Sequence, residues 1–373
     1  MVTPVEAKLE NSRLLHEDVL SRRDLLRALP EVVSLQTTEV CNLACIMCPR
    51  SLGPGTQRLD RRSLGRVVDD LFPTAWKAIV TGAAGEPLSS DFDLILDACL
   101  QHGVRMDLFT NGLLLSGDLY ARARPAFDQL NVSLDAVDPA LYERIRAGGR
   151  WERIRKVLEE IRDVRAAAPD DVILSFSAVV MRSNLPNLAD FVRFSHRMGA
   201  DVVVLQRLRH EVKRTAEEDP EIDPGRETAT RFVEEALAAA AELRMNVHAS
   251  EIGIAPIEPR PLRSKVPAGV EPFVETCWAI ARNFGVMHDG TVYPCCVPND
   301  HVYGKSYGTG PARSGTAPPR GRCAGPTTRG GAPCSAGAVC TRVTSFPRAE
   351  APGSTRWCGR EGWPGRPGGT AGR

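Results

Sequence analysis

The sequence predicts an α/β fold, an incomplete barrel or open parallel sheet made of six βα units. Apolar β-type runs alternate with helical patterns from residue 32 to about 206, the mark of repeated βα units around a parallel sheet. Unusual chemistry follows four of the six runs, at the strand ends where parallel α/β sheets bind ligands.

The expected strands are Val32 to Thr37, Ala78 to Thr81, Met106 to Thr110, Leu130 to Leu134, Ile173 to Val180 and Val202 to Gln206. Between them, Ser63 to Leu71, Phe92 to His102, Arg153 to Ala167 and Leu188 to Met198 repeat apolar residues at three- and four-residue steps, as amphipathic helices do. Glu227 to Leu243 is a further alanine-rich helix. Cys99, in the run DACL, falls on an apolar helical face and belongs in the core.

The 373 residues, 43% of them hydrophobic, suffice for one catalytic domain and a small appendage. A formal charge of +1 gives no reason to expect nucleic acid or an anionic membrane as partner. No run reaches the roughly 20 apolar residues that span a bilayer, and the first residues are charged where a signal core would be apolar. A cytoplasmic protein is expected. In that reducing compartment eleven cysteines point to metal or cluster binding more than to disulfides.

Residues 1–30 read as a helical lead-in, too short for an independent peptide-binding domain, and 31–250 as the core domain. Residues 251–276, with four prolines between 256 and 267 (256, 259, 261 and 267), read as a linker to a small region at 277–308. From 309 to 373 there is no Leu, Ile or Met, while 14 of the chain's 32 glycines and ten arginines gather there. Such a composition predicts a disordered low-complexity tail. A reading-frame change in a GC-rich gene and a genuine flexible tail both produce it.

Cys41-x3-Cys45-x2-Cys48 places three thiols in one short loop after the first strand, with no fourth Cys or His nearby to close a structural zinc site. Three thiolates can take three corners of a 4Fe-4S cluster and leave the fourth iron open to a ligand. A zinc loop, or an electron-transfer cluster completed by a distant cysteine, uses the same residue types. Position favours the open cluster, because further motifs trail the later strands as a shared ligand site requires.

The stretch TTEVCNLACIMCPRS resembles the signature of the radical S-adenosylmethionine (radical SAM) superfamily, Cys-x3-Cys-x2-Cys after the first strand of a partial (β/α)6 barrel. The resemblance covers residues 32 to about 208 and 277 to about 298. It implies that Cys41, Cys45 and Cys48 hold a 4Fe-4S cluster and that Met47 packs near the adenine of S-adenosylmethionine. An ordinary loop hydrophobe is the other account of Met47.

The cofactor's α-amine, carboxylate, sulfonium and ribose need backbone acceptors and a few polar side chains. TGAAGEPL after the second run resembles the family's Gly-Gly-Glu-Pro turn with its first glycine replaced, implicating Gly85, Glu86 and Pro87. Asn111, in LFTNG, is a cofactor contact or simply a turn residue. Ser133 and Asp135, in NVSLDA, share a face by strand alternation and need partners at a buried strand end. Asn184 follows the fifth run in VVMRSN and Gln206 lies near the end of the sixth; each reaches the ribose or adenine, or is a helix cap or a core hydrogen bond.

CWAIARNFGVMHDGTVYPCC reads as a hairpin turning at His288-Asp289-Gly290. It resembles the opening of the SPASM and twitch appendages, implying Cys277 and Cys295 as ligands of an auxiliary 4Fe-4S cluster; a structural cysteine pair or zinc site are the alternatives. The later cysteines, 323, 334, 340 and 358, depart from the family's Cys-x2-Cys-x5-Cys-x3-Cys spacing, so that cluster is incomplete as encoded.

The resemblance implies reductive cleavage of S-adenosylmethionine to a 5'-deoxyadenosyl radical, with a flavodoxin- or ferredoxin-type reductant as partner. The expected activity is a radical SAM oxidoreductase acting on a sugar, cyclitol or other small metabolite. A peptide-modifying maturase is the alternative substrate class, and a non-enzymatic iron-sulfur carrier the alternative of another kind.

Overall fold

The computed structural model describes residues 3–21, 23, 26–48, 55–82, 85–169, 171–208, 218, 226–249, 282–293 and 304–305. Strand β1 (Val32–Gln36) turns Val33 and Leu35 to one side and Ser34 and Gln36 to the other, and its neighbours repeat that division. β2 (Lys77–Val80), β3 (Arg105–Thr110), β4 (Phe127–Ser133), β5 (Ile173–Val180), β6 (Val202–Arg207) and β7 (Asn246–His248) follow in parallel, each beside the one before.

Helices α2 (Arg61–Leu71), α3 (Phe92–His102), α4 (Gly117–Ala123), α5 (Pro139–Ile145), α6 (Trp151–Ala167), α7 (Leu188–Arg197) and α8 (Arg226–Leu243) alternate with these strands. One apolar core joins them to the sheet: Leu35, Val80, Leu108, Val132 and Phe176 are fully buried with Leu64, Ile95, Ile154 and Phe191 of the helices. The opposite face follows from register. Ser34 lies beside Ile79, Ile79 beside Asp107, and Asp107 beside Gln129; Asn131 lies beside Ser175, and Ser133 beside Ser177. A parallel sheet covered on both sides is ordinarily apolar on both, so a polar inner face marks the side that receives a ligand. At its amino end Lys77 closes the floor, Nζ lying 2.8 Å from Asp107 and 2.9 Å from Asp128.

The sheet is open, as the unclosed barrel requires, and five of the six expected strands match to within about a residue at each end. β4 starts three residues earlier than expected, at Phe127, because Asp128 and Gln129 are polar strand residues that read as loop. The short β7, α4 and α5 were not foreseen.

The expected hairpin forms as β8 (Asn283–Met287) and β9 (Thr291–Tyr293), with β10 (Gly304–Lys305) beside it. It is not apart from the core: β8 pairs in parallel with β1 from Val32 to Gln36 and extends the same sheet. No local signal announces a pairing across some 250 residues, since it satisfies an edge that the sequence does not reveal. Gly290 turns the hairpin at φ 76°, and a Cβ on Gly285 would enter the Tyr293 ring.

The lead-in contains α1 (Pro4–Leu20), begun by a capping box between Thr3 and Glu6. Leu15 and Val19 pack it on Leu26 and Ala28. The linker at 251–276 and the tail from 309 lie outside the described residues. Among the described residues no helix is long and apolar enough to cross a membrane.

Candidate functional site

The loop bearing the three thiols leaves β1 at the carboxyl edge of the sheet. Its start is pinned by Glu39 N–H to Gln57 O (2.9 Å) and Leu59 N–H to Thr37 O (2.9 Å). Its middle is pinned by Ala44 N–H to Ala147 O (2.8 Å) and Ile46 N–H to Ile145 O (3.0 Å), at the end of α5. Cys45 is buried, while Cys41 and Cys48 are half-buried. Met47 is partly buried against the main core.

The turn after β2 lies against this loop. Glu86 N–H donates to Val40 O (2.8 Å), and a Cβ on Gly85 would stand 2.1 Å from the Thr38 carbonyl oxygen, an approach only glycine allows. Pro87 opens a 3-10 turn. The Glu86 carboxylate points inward, accepting from Thr110 Oγ1 (2.6 Å), Asn111 N–H (2.8 Å) and Leu88 N–H (3.2 Å). Burial pushes its pKa up, opposed by those bonds. Asn111 then donates its side-chain amide to Asn42 Oδ1 (2.8 Å) and stands 3.8 Å from Cys41 Sγ.

A second group of side chains converges on Cys45. Asp135, just beyond β4, adopts φ 63°, a left-handed conformation that Asp tolerates better than most residues. Its Oδ1 accepts Val179 N–H (2.8 Å) and its Oδ2 pairs with Arg146 Nε (2.6 Å). Arg146 Nη1 lies 3.8 Å from Cys45 Sγ. Burial pushes the Cys45 thiol up to about 11, with Arg146 pulling the other way. Burial works against the charge on Arg146, but Asp135 and Cys45 outweigh it and raise its pKa. Asn184 braces the corner, donating to Asp135 O (2.9 Å) and Val179 O (2.8 Å) and accepting Met181 N–H (2.8 Å).

Ser133 accepts from Ser177 Oγ (3.3 Å) on the inner face, and Gln206, half-buried, lies beside Val179 on that same face. The residues named from sequence thus form two joined groups, Cys41 with Glu86 and Asn111, and Cys45 with Asp135 and Asn184; Gln206 bonds to neither. Cys277 and Cys295 lie outside the described residues. The hairpin between them reaches the site at its turn, where His288 Nε2 stands 3.2 Å from Glu39 Oε1.

Sequence reasoning missed Arg146, Tyr142, Asn42 and the Glu39–His288 contact. A signal existed for Arg146, a charge in the buried helical register of Tyr142 and Ile145. The two residues of the contact are 249 positions apart and gave none.

The donor set fits an iron-sulfur cluster. Three thiols on one short loop, with no His, Asp or Glu grouped beside them among the described residues, are the residue types that take three corners of such a cluster. Tyr142 Oη, one helical turn before Arg146, is buried with no hydrogen-bond partner.

Residues 35–172 match the family model of the radical SAM superfamily. Family model and thiol loop agree over this segment, which carries a radical SAM domain. Its cofactors are a 4Fe-4S cluster and S-adenosylmethionine. The chain is 27% identical over 182 residues to mycofactocin maturase MftC of Mycolicibacterium smegmatis, covering 48% of this chain and 45% of that one. It is 27% identical over 177 residues to a probable GTP 3',8-cyclase of Methanococcus maripaludis, covering 46% and 57%. It thus spans about half the length of the curated relatives it matches. Streptococcus suis SuiB bound to S-adenosylmethionine shares the fold with a TM-score of 0.56 at 16% identity, over 79% of this chain and 67% of that one.

Proposed function

We propose that the chain is a radical SAM enzyme that takes a hydrogen atom from a peptide held on the inner face of the sheet. The observation that carries this is the ladder of uncharged hydrogen-bonding side chains on β4 and β5. Asn131 Nδ2 and Gln129 Nε2 each donate to Ser175 Oγ (both 2.9 Å), and Ser177 Oγ donates to Asn131 Oδ1 (2.9 Å). Asn131, Ser175 and Ser177 are buried beneath this face, and the partly exposed Gln129 and Ser133 present amide-compatible hydrogen-bonding groups from it. The lysine on this face is spent on Asp107 and Asp128, leaving little among the described residues there to hold a triphosphate. The likeness to a maturase supports the same choice over the small metabolite expected from sequence.

Cys41, Cys45 and Cys48 would hold the cluster. Together with S-adenosylmethionine it supplies, when bound, a carbon-centred radical able to remove a hydrogen atom. The residues of the chain orient and shield. Gly85, Glu86 and Pro87 shape the turn that faces the thiol loop, and Asn111 ties the end of β3 to it. Ser133, Asp135, Asn184, Gln206 and Met47 build the rest of the cofactor wall. The helices cover the outer face of the sheet and direct the reaction into its interior, away from water. The catalytic unit comprises residues 31–250 together with the β8–β9 hairpin. A net oxidation needs an electron acceptor, for which Cys277 and Cys295 are candidate ligands, and a flavodoxin- or ferredoxin-type protein would supply the initiating electron.

A nucleotide substrate is the second reading, favoured by the likeness to the GTP cyclase. The test is anaerobic reconstitution with iron and sulfide, then dithionite and S-adenosylmethionine, with 5'-deoxyadenosine measured for wild type and Cys45→Ala. Product in wild type alone is expected, rising on addition of a synthetic peptide pool. A rise with GTP and none with peptides would sink the peptide reading; a loaded cluster giving no product would sink the enzyme reading.

A further inference from the structure

Arg146 is only 8% exposed, and a cation that deep is tolerated only when paired. Asp135 pairs with its Nε at 2.6 Å. The rest of the guanidinium turns elsewhere, Nη1 lying 3.8 Å from Cys45 Sγ. The carboxylate is itself held by Val179 N–H at 2.8 Å and its backbone by Asn184 at 2.9 Å. The pair is therefore an oriented dipole with its positive end on the thiol.

We propose that Arg146 is a positioning residue that sets the reduction potential of the cluster, its charge held by Asp135 against the Cys45 sulfur so that the bound cluster is easier to reduce. One-electron reduction by a low-potential donor makes and breaks no bond; it adds one negative charge to the cluster. A fixed cation a few ångströms from a ligating sulfur, in a site shielded from water, favours the more negative state. Charge and hydrogen bonds at the sulfurs are among the protein's levers on cluster potential. This inference rests on the reading that Cys45 holds the cluster.

The experiment is an EPR-monitored redox titration of the anaerobically reconstituted full chain, with iron content measured in each sample. Arg146→Gln is expected to make reduction at least tenfold less favourable, a midpoint more negative by about 59 mV or more for a one-electron couple. Arg146→Lys, which keeps the charge, should fall between that variant and wild type. Asp135→Asn leaves the cation uncompensated and should move the midpoint the opposite way, a pattern that a purely structural role does not produce. If Arg146→Gln retains no cluster, Asp135→Asn decides alone: an upward shift supports the inference, and no shift or a downward one overturns it. Midpoints within error of wild type in both loaded variants, or shifts in one common direction, also overturn it. A wild-type chain that takes up no 4Fe-4S cluster overturns the assignment of Cys45 itself and this inference with it.

Discussion

The side-chain amide of Asn111, at the end of β3, donates to Asn42 Oδ1 across 2.8 Å and so joins the third strand to the loop between Cys41 and Cys45. Asn111 Oδ1 accepts Leu113 N–H at 3.0 Å, which fixes the amide in this orientation. Asn111→Leu should loosen the thiol loop at a cost of about 1 kcal/mol, the net value of one such bond. We expect lower iron retention after desalting and a fall in 5'-deoxyadenosine formation of roughly tenfold, about 1.4 kcal/mol of barrier. Unchanged iron content and rate would show that the loop holds its shape without this bond.

Glu86 serves the fold before it serves any ligand. Its carboxylate accepts from Thr110, Asn111 and Leu88 while 2% exposed. Glu86→Ala leaves those donors without an acceptor, a loss of at least about 2 kcal/mol, which lowers the Tm by roughly 4–8 °C for a domain of this size. Glu86→Gln should cost about half as much, because burial already favours an uncharged side chain here and most of the acceptor geometry survives. Thermal denaturation of both variants checks the order; equal losses would show that the charge itself is needed.

The sheet was legible because strands β1 to β6 carry alternating or apolar runs over four to eight residues, enough to separate period two from period 3.6. The thiol loop and the Gly85-Glu86-Pro87 turn were legible because short-range chemistry is written in adjacent residues. What Glu86 does was less so: its carboxylate is consumed by Thr110 and Asn111, more than twenty positions away. Arg146 sits in an arginine-rich segment, where its place in the register of Tyr142 is the one sequence feature that separates it from Arg144 or Arg150, and its burial makes that feature decisive. Likewise β8 reads locally as one arm of a hairpin, while its parallel partner is β1.

The contact between Glu39 and His288 couples the hairpin to the thiol loop. Both side chains are partly buried, 27% and 16% exposed at 3.2 Å. A double-mutant cycle on Glu39→Gln and His288→Ala should give a coupling energy of about 0.5 kcal/mol or more, as contacting residues do. Hydrogen exchange should quicken in residues 38–46 in the His288→Ala variant. Additive effects and an unchanged exchange pattern would show that the hairpin is held by its pairing with β1 alone.

Asp18 anchors α1 and gives its docking a pH dependence of known sign. Its carboxylate accepts Arg27 Nε at 2.7 Å and Ala28 N–H at 3.2 Å and pairs with Arg23 Nε at 3.3 Å. Burial alone would raise its pKa, but the bonds from Arg27 and Ala28 outweigh it and hold it below the usual carboxylate value. A carboxylate with a depressed folded pKa contributes stability that is complete above its unfolded pKa, about 3.9, and is lost as pH falls through the folded one. Trp76 reports on the event, since its Nε1 donates to Ser12 Oγ of α1 at 3.0 Å. The difference in fluorescence between wild type and Trp76→Phe should therefore hold steady down to about pH 5 and change below about 4, where the carboxylate takes up its proton. Asp18→Asn, which keeps the shape but loses the charge, should weaken docking at neutral pH and remove that acid step. An acid step of the same size in Asp18→Asn would assign it to another group.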